Sequence, residues 1–147
     1  LAGYNGTIFA YGQSGSGKTY TMTGGSELFT NRGLIPRAIT YLFDKFAEDP
    51  NAQYVLKISY LELYNDVGYD LIGSGKRAVS VIDDLPRILV YEDGATRMVH
   101  LKNLNLHCAS TAEDAMALLF LGDTNRVIAE VGSLHPYYGL FYARYTM

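Results

Sequence analysis

Eight consecutive residues near the start of the chain have the types and the spacing that phosphate binding requires. They are Gly12, Gln13, Ser14, Gly15, Ser16, Gly17, Lys18 and Thr19, a full match to the Walker A pattern. Glycine lets the backbone turn so that successive N–H groups face a phosphate group. The pattern therefore predicts that Lys18 reaches the β- and γ-phosphates of a nucleotide and that the Thr19 hydroxyl ligates Mg²⁺.

Two local elements should position this loop. Residues 7–11 are apolar, β-branched or aromatic and lie between two glycines, which predicts a buried strand leading into the loop. A helix is expected to begin at Lys18 and Thr19 and to direct the partial positive charge of its N-terminus at the same phosphates. The alternative interpretation is a Gly- and Ser-rich turn that binds no ligand.

A nucleotide hydrolase also needs a carboxylate behind the Mg²⁺, usually an Asp that closes an apolar strand. Asp83, at the end of residues 79–83, and Asp70 are the candidates. Ser80 interrupts the apolar run before Asp83, and residues 84–86 are typical of a turn. We therefore expect Asp83 to be a solvated loop acid, and the usual metal carboxylate to be missing from this chain.

Histidine and cysteine suggest no further chemistry. His100, His107 and His135 lack the spacing of metal ligands, so surface or structural histidines are expected. Cys108 follows His107 and could be an activated thiol, but neighbours on a strand point to opposite faces. A buried, inert thiol is the favoured interpretation.

Basic residues gather around a predicted hairpin and could form a face for an acidic partner. They are Lys76, Arg77, Arg87, Arg97 and Lys102. The alternative for such a cluster is an ordinary solvated surface. The hairpin itself is predicted from two short β runs, residues 87–91 and 98–101, joined by a polar loop with one glycine.

Hydrophobic periodicity predicts two helices and a long strand. The first helix begins near Pro36, and its apolar residues follow the i, i+3, i+4, i+7 spacing at Ile39, Leu42, Phe43 and Phe46. Residues 54–64 form the strand, with Leu56, Ile58 and Tyr60 on one face and Lys57, Ser59 and Leu61 on the other. The second helix is capped by Ser110 or Thr111, extends to about Asp123, and buries Ala115, Leu118 and Leu119.

Composition places the chain among folded single domains. Its 147 residues carry 12 basic and 15 acidic side chains, a formal net charge of −3, and 48% are hydrophobic. The acidic balance argues against a dedicated nucleic-acid binder, and no apolar run approaches the roughly 18 residues of a membrane span. One cysteine rules out an internal disulfide and fits a reducing compartment. Both ends look cut rather than finished.

Four blocks of the chain resemble kinesin motor domains in order and spacing. Residues 1–22 contain Gly-Tyr-Asn-Gly-Thr-Ile-Phe-Ala-Tyr directly before the Walker A residues, which is much more specific than Walker A alone. The other blocks are Gly-Leu-Ile-Pro-Arg at residues 33–37, Ser-Tyr-Leu-Glu-Leu-Tyr-Asn-Asp at residues 59–66 and Gly-Asp-Thr-Asn-Arg at residues 122–126. Shorter blocks at residues 84–86, 100–104 and 118–123 look most like the kinesin-9 subfamily.

This resemblance implies an α/β fold of the P-loop NTPase type, with a mostly parallel central sheet flanked by helices. It implies that residues 12–19 hold ATP or ADP with Mg²⁺, that Tyr20 lies near the adenine, and that the hairpin contacts tubulin in microtubules. Arg87, Arg97 and Lys102 are the candidate tubulin contacts. Cytoplasm and cytoskeleton are the implied locations, and the kinesin-9 resemblance adds the cilium or flagellum.

The chain also departs from the family pattern. Residues 1–130 resemble part of a motor domain, whereas residues 131–147 form a divergent tail. The family expects a first switch segment ending in Ser-Ser-Arg-Ser-His after Glu130, but residues 131–138 read differently, and the Asp-x-x-Gly second switch is expected to be absent. We therefore expect nucleotide binding at most; a non-catalytic, microtubule-binding fragment is the alternative. An unrelated P-loop enzyme such as a small kinase is disfavoured, because no metal carboxylate or substrate lid is clear.

Overall fold

The computed structural model describes residues 4–25, 29–64, 66–73, 75, 78–131 and 138–146. For residues 29, 82, 127–131 and 138–146 it describes the backbone alone. The chain divides into two compact units, residues 1–42 and residues 43–147. No helix among the described residues is both long enough and apolar enough to cross a membrane.

The first unit contains the Walker A loop and the helix that follows it. Helix α1 (Lys18–Met22) begins where the sequence predicts, and it ends before Gly24, whose φ of 85° lies in the left-handed region. Gly24 forms an isolated antiparallel bridge with Arg32. The chain then enters helix α2 (Leu34–Ala47), which continues across the boundary between the units.

The predicted strand over residues 7–11 is wrong. This segment has no regular structure, and its apolar side chains are exposed; 76% of the Phe9 surface is accessible. A strand requires a neighbour that accepts and donates its backbone hydrogen bonds. No described segment of this chain pairs with residues 7–11, so an apolar, β-branched composition does not suffice to form the strand.

Helix α2 confirms the helix predicted near Pro36, although it begins two residues earlier, at Leu34. Proline is tolerated there because the N–H groups of the first helical turn have no acceptor within the helix. Ile39 of the predicted stripe is buried, and Phe46 is half-buried and stacks on Tyr54 with ring centroids 4.5 Å apart.

The second unit is built on a six-stranded sheet. Its strands are β1 (Val55–Tyr64), β2 (Val67–Asp70), β3 (Arg87–Glu92), β4 (Val99–Lys102), β5 (His107–Ala109) and β6 (Tyr138–Thr146). Every recorded pairing is antiparallel, so the mostly parallel sheet expected from the resemblance is wrong for the described residues. Parallel neighbours need a crossover connection of a dozen or more residues, whereas two residues join β1 to β2 and six join β3 to β4. Such short connections require antiparallel pairing.

Strand β1 is the centre of this sheet. It pairs with β6 from Val55 to Leu63, and with β5 and β2 at its two ends. Because a strand has two edges, β5 and β2 must share the edge opposite β6. Both predicted faces of β1 are covered, since Ser59 and Leu61 are as completely buried as Ile58.

Helix α3 (Ala112–Val131) confirms the second predicted helix and extends eight residues past the predicted end. Thr111 caps it, because its Oγ1 accepts a hydrogen bond of 3.0 Å from the backbone N–H of Asp114. Ala115 and Leu119 are buried as predicted. Leu118 is only half-buried.

The second half of α3 is tied to the sheet by specific contacts. The Tyr60 hydroxyl donates a hydrogen bond of 2.9 Å to Asp123 Oδ1, and Arg126 lies 3.5 Å from the same oxygen. The amide of Asn125, which is fully buried, donates to Leu71 O at 2.7 Å and accepts from the Val79 N–H at 3.0 Å. These contacts satisfy polar groups that would otherwise be costly to bury.

Gly122 is where α3 passes the aromatic ring of Tyr60. A Cβ at position 122 would overlap that ring, which the Tyr60–Asp123 hydrogen bond holds in place. We expect Gly122→Ala to lower the free energy of unfolding, because overpacking costs about 1–3 kcal/mol whereas better helix propensity returns at most about 1 kcal/mol. Thermal melts of the full chain by circular dichroism measure the change. Gly94→Ala is the matched control, since a Cβ there meets nothing within 4 Å; a Gly122→Ala variant as stable as that control would contradict the prediction.

Burial raises the pKa of the Asp123 carboxyl, and the Tyr60 hydrogen bond and Arg126 offset only part of this rise. The folded state therefore binds the Asp123 proton more tightly than the unfolded chain does. The stabilisation is complete below the unfolded pKa, about 3.9, and is lost as the pH rises through the folded pKa. Asp123→Asn keeps an acceptor for Tyr60 but cannot titrate. We expect the Tm of the natural chain, relative to this variant, to fall as the pH rises above about 4. A difference that does not change with pH would contradict the assignment.

Candidate functional site

The Walker A loop has the backbone that its glycines predict. Three glycines have φ values in or near the left-handed region: 149° at Gly12, 80° at Gly15 and 89° at Gly17. Two features disfavour a side chain at Gly12. Its φ is one that L residues rarely adopt, and an added Cβ would lie 2.7 Å from Ser16 Oγ. At Gly15 and Gly17 a Cβ would meet nothing within 4 Å, so these residues lie open to an incoming group.

Lys18 lies back across the loop rather than extending into solvent. Its Nζ donates hydrogen bonds to Gly12 O at 2.7 Å and to Gln13 O at 2.8 Å. The ammonium group is thus held by the same loop that would cradle a phosphate. Binding a phosphate there would add charge-assisted hydrogen bonds, which are about twice as strong as neutral ones.

Donor groups for an anion are available at the start of α1. Gly17 is the N-cap and supplies no side-chain acceptor to the first helical turn. The N–H groups of that turn have no acceptor within the helix either. With five residues, α1 contributes a smaller dipole than a long helix, so the loop N–H groups and Lys18 are the main attraction for a phosphate.

An open cavity of about 250 Å³ lies at this loop, lined by Gly15, Gly17, Lys18, Thr19 and Tyr20. Thr19 is exposed, so its hydroxyl is accessible to a cation. No group of three or more His, Cys, Asp or Glu side chains among the described residues could hold a metal ion. The residues lining the cavity offer the Thr19 hydroxyl, which fits a Mg²⁺ that arrives with phosphate oxygens.

The two carboxylates considered for a metal site have other partners. Asp83 is exposed in a short 3₁₀ helix (Ile82–Asp84) and forms an ion pair of 3.2 Å with Arg87. Asp70 is fully buried, and its Oδ2 accepts two hydrogen bonds from Asn105, at 3.0 and 3.1 Å. Asp83 is therefore solvated as expected, although in a 3₁₀ helix and not in a loop, and Asp70 connects β2 to the segment before β5.

Residues 70–73 also read Asp-x-x-Gly, but they precede the position of the first switch and are not the second switch, whose expected absence stays a prediction. The Asp70 Oδ1 of this stretch accepts a hydrogen bond of 3.2 Å from the Ile72 N–H, and a Cβ on Gly73 would lie 2.7 Å from Asp70 Oδ2. The stretch is therefore a tight turn closed by its own aspartate. Its buried carboxylate has no access to a ligand.

The structure contradicts the expectation for Cys108 and agrees with the expectation for His100 and His107. Cys108 is exposed, so the buried thiol is wrong: the sequence pattern identifies a strand but not which of its faces is covered. His100 is exposed and stacks on Tyr91, with ring centroids 5.3 Å apart, and His107 is half-buried in β5. His135 lies outside the described residues.

The hairpin of β3 and β4 confirms the predicted one, and its loop is stabilised by Asp93. The Oδ1 atom of Asp93 accepts hydrogen bonds from the N–H groups of Ala95, at 2.7 Å, and Thr96, at 3.1 Å. These two bonds hold the pKa of the Asp93 carboxyl below its usual value. Arg97 closes the loop with a φ of 57°, a left-handed conformation that costs a non-glycine residue about 1–2 kcal/mol.

Two of the three basic residues of the hairpin are paired with carboxylates. Arg97 lies 3.3 Å from Glu92, and Arg87 is paired with Asp83. Lys102 has no ion pair among the residues that the structure describes. Lys76 and Arg77, also counted in the predicted cluster, lie outside the described residues.

Comparison with known proteins gives the family of this chain. The kinesin motor domain family matches residues 1–133. The kinesin-like protein KIF9 of Mus musculus is 40% identical over 135 residues, and KIF9 of Homo sapiens is 42% identical over 129 residues. The kinesin-like protein KLP1 of Chlamydomonas reinhardtii is 39% identical over 132 residues. Each of these alignments covers 88% of this chain but 16% of the relative, so the chain spans a small part of the curated relatives that it matches.

A solved structure of a fast kinesin has the same fold. It superposes with a TM-score of 0.79 and 28% sequence identity, covering 97% of this chain and 39% of that kinesin. The superposed region therefore continues past residue 133, where the family match ends. From the family match and from relatives that are 39–42% identical, we conclude that the chain belongs to the kinesin motor domain family.

Proposed function

We propose that these 147 residues are the ATP-binding part of a microtubule motor and that they bind ATP or ADP with Mg²⁺ at residues 12–19. One observation carries the proposal: the loop turns through Gly12, Gly15 and Gly17 with positive φ values, and Lys18 lies across it. That arrangement leaves an ammonium group and unused backbone N–H groups around one open cavity. Phosphate is the ligand that this set of donors suits best.

Each part of the site has a distinct role in this proposal. The backbone of residues 12–17 wraps the phosphates, Lys18 binds the β- and γ-phosphate oxygens, and Thr19 offers its hydroxyl to Mg²⁺. The cation, when bound, neutralises phosphate charge. Tyr20 is exposed and lines the same cavity, and in this proposal it lies near the adenine.

We further propose that this polypeptide binds nucleotide without hydrolysing it. Phosphoryl transfer requires groups that position water and stabilise the charge of the transition state. The first switch motif that the family pattern places after Glu130 is not found there, and the Asp-x-x-Gly second switch is expected to be absent as well. Loss of even one such stabilising group typically costs about 10²–10³-fold in rate.

The alternative is a non-catalytic fragment that contacts microtubules through the hairpin of β3 and β4. The exposed, partly basic hairpin favours this second function independently of the Walker A loop. Both functions place the protein in the cytoplasm on the cytoskeleton. The similarity to the kinesin-9 subfamily extends that proposal to the cilium or flagellum.

Replacing the loop lysine should separate nucleotide binding from folding. We expect Mg·ADP to raise the Tm of the full chain, because a ligand at 100 times its Kd stabilises the native state by about 2.7 kcal/mol. Lys18→Ala should lose most of this shift. Lys45→Ala is the control, since it removes an exposed lysine whose salt bridge to Glu48 contributes little to stability. Circular dichroism reports the melts; equal shifts for Lys18→Ala and Lys45→Ala would contradict the site.

Phosphate release distinguishes binding from catalysis. We expect ATP mixed with the chain and microtubules to release phosphate no faster than with the Lys18→Ala variant, because the hydrolytic groups are missing. The measurement uses a Mg·ATP concentration that shifts the Tm of the natural chain. A rate that rises with microtubules and depends on Lys18 would show an active motor ATPase instead.

A further inference from the structure

Asn5 and Gly6 are the one Asn-Gly pair in the sequence, and both lie open to solvent. The structure places them in no helix or strand, and the predicted strand over residues 7–11 that would follow them is absent. Neither residue forms a hydrogen bond with any part of the chain that the structure describes. A Cβ on Gly6 would meet nothing within 4 Å, so the pair has open space around its backbone.

An asparagine that precedes glycine can lose its side-chain amide through a reaction with its own backbone. The backbone nitrogen of Gly6 gives its proton to a base and attacks Asn5 Cγ, and the amide nitrogen takes up a proton and leaves as ammonia. The product is a cyclic imide, which water opens at either carbonyl to give aspartate or isoaspartate. Glycine favours the ring closure because it has no Cβ to hinder its nitrogen and few limits on its backbone angles. The steps require water and a base, but no oxidant or enzyme.

The other asparagines that the structure describes lack a following glycine, and two of them are also held by hydrogen bonds. Asn125 is fully buried with its amide in two hydrogen bonds, and the Asn105 amide donates to a buried carboxylate. Asn31, Asn51 and Asn103 are followed by arginine, alanine and leucine, whose side chains hinder ring closure. Exposure, absence of hydrogen bonds and a following glycine therefore coincide at residue 5.

One aspartate also precedes a glycine, Asp93 in the hairpin loop, and an aspartate can form the same cyclic imide. Its Oδ1 is held by the N–H groups of Ala95 and Thr96, at 2.7 and 3.1 Å. Its carboxylate is also a poorer target than an amide carbon, because it is ionised near neutral pH and repels a deprotonated nitrogen. Hydrogen bonds and charge therefore protect Asp93, whereas Asn5 has neither.

We propose that Asn5 is a site of spontaneous deamidation in the native chain, with the backbone nitrogen of Gly6 as the attacking group. Two observations carry the inference: the pair is exposed, and it lies outside the hydrogen-bonded elements. The modified residue carries a negative charge that the amide lacks. Isoaspartate also routes the backbone through the former side chain, which changes the connection between Tyr4 and Gly6 upstream of the Walker A loop. Deamidation at this position does not require a bound nucleotide.

Incubation of the full chain at mildly alkaline pH, followed by trypsin digestion and fragmentation mass spectrometry, tests the site. We expect residue 5 to gain about 1 Da with time as –OH replaces –NH2, and to do so at least about tenfold faster than Asn51 or Asn103. Gly6→Ala should slow this gain about tenfold or more because of the added Cβ. Gly94→Ala is the matched control, since a Cβ there also meets nothing within 4 Å, and it should leave the rate at residue 5 unchanged.

The same measurement in guanidinium chloride separates the effect of the structure from that of the sequence. An exposed segment without hydrogen bonds opens at almost no cost in free energy, so the native rate at residue 5 should lie within about fivefold of the rate in denaturant. A slower native rate would show that Asn5 is held in the folded chain and would overturn the proposal. Equal gains at Asn5, Asn51 and Asn103, or an equal rate in Gly6→Ala, would overturn it as well. The Gly6→Ala comparison is repeated in denaturant, so that a variant that fails to fold still gives a result.

Discussion

The pairing of β1 on both of its edges is the constraint on which the described part of the second unit depends. Strand β6 pairs with β1 from Val55 to Leu63, while β2 and β5 share the opposite edge. Strand β1 therefore holds β2, β5 and β6 in one sheet. Both faces of β1 also carry buried side chains. Tyr60 on one face anchors α3 through Asp123, and Ser59 and Leu61 on the other are completely buried. A change in the register of β1 by one residue would exchange these faces and disrupt both layers.

Helix α3 shows how the family block at residues 122–126 serves the fold. Gly122 makes room for the Tyr60 ring, Asp123 accepts its hydroxyl, and Asn125 connects Leu71 to Val79. These roles require particular atoms at particular positions, so the block has a structural role in this chain. The phosphate loop is different: Lys18 donates to the backbone oxygens of Gly12 and Gln13, and three loop glycines have positive φ values.

The hairpin shows why a count of charges does not describe a surface. Three basic residues near one hairpin suggested one basic face, yet Arg97 is paired with Glu92 and Arg87 is paired with Asp83. Strand alternation places neighbouring residues on opposite sides of the hairpin. In the loop, Arg97 has a left-handed backbone conformation that the sequence does not predict. Which side chains share a face of the hairpin therefore depends on the register between β3 and β4.

The sequence by itself determined the local features: the residues of the phosphate loop, the helices α2 and α3, the strand β1, the hairpin, and membership of the kinesin motor domain family. Those features depend on short-range periodicity, on capping residues such as Thr111, and on glycines where φ is positive. Tertiary structure alone decided that β5 and β6 pair antiparallel with β1, that residues 7–11 form no strand, and that Cys108 is exposed. Each of these depends on which distant segment lies beside a strand. Hydrogen bonds across a sheet and burial of a face are properties of pairs of segments, so no single stretch of sequence contains them.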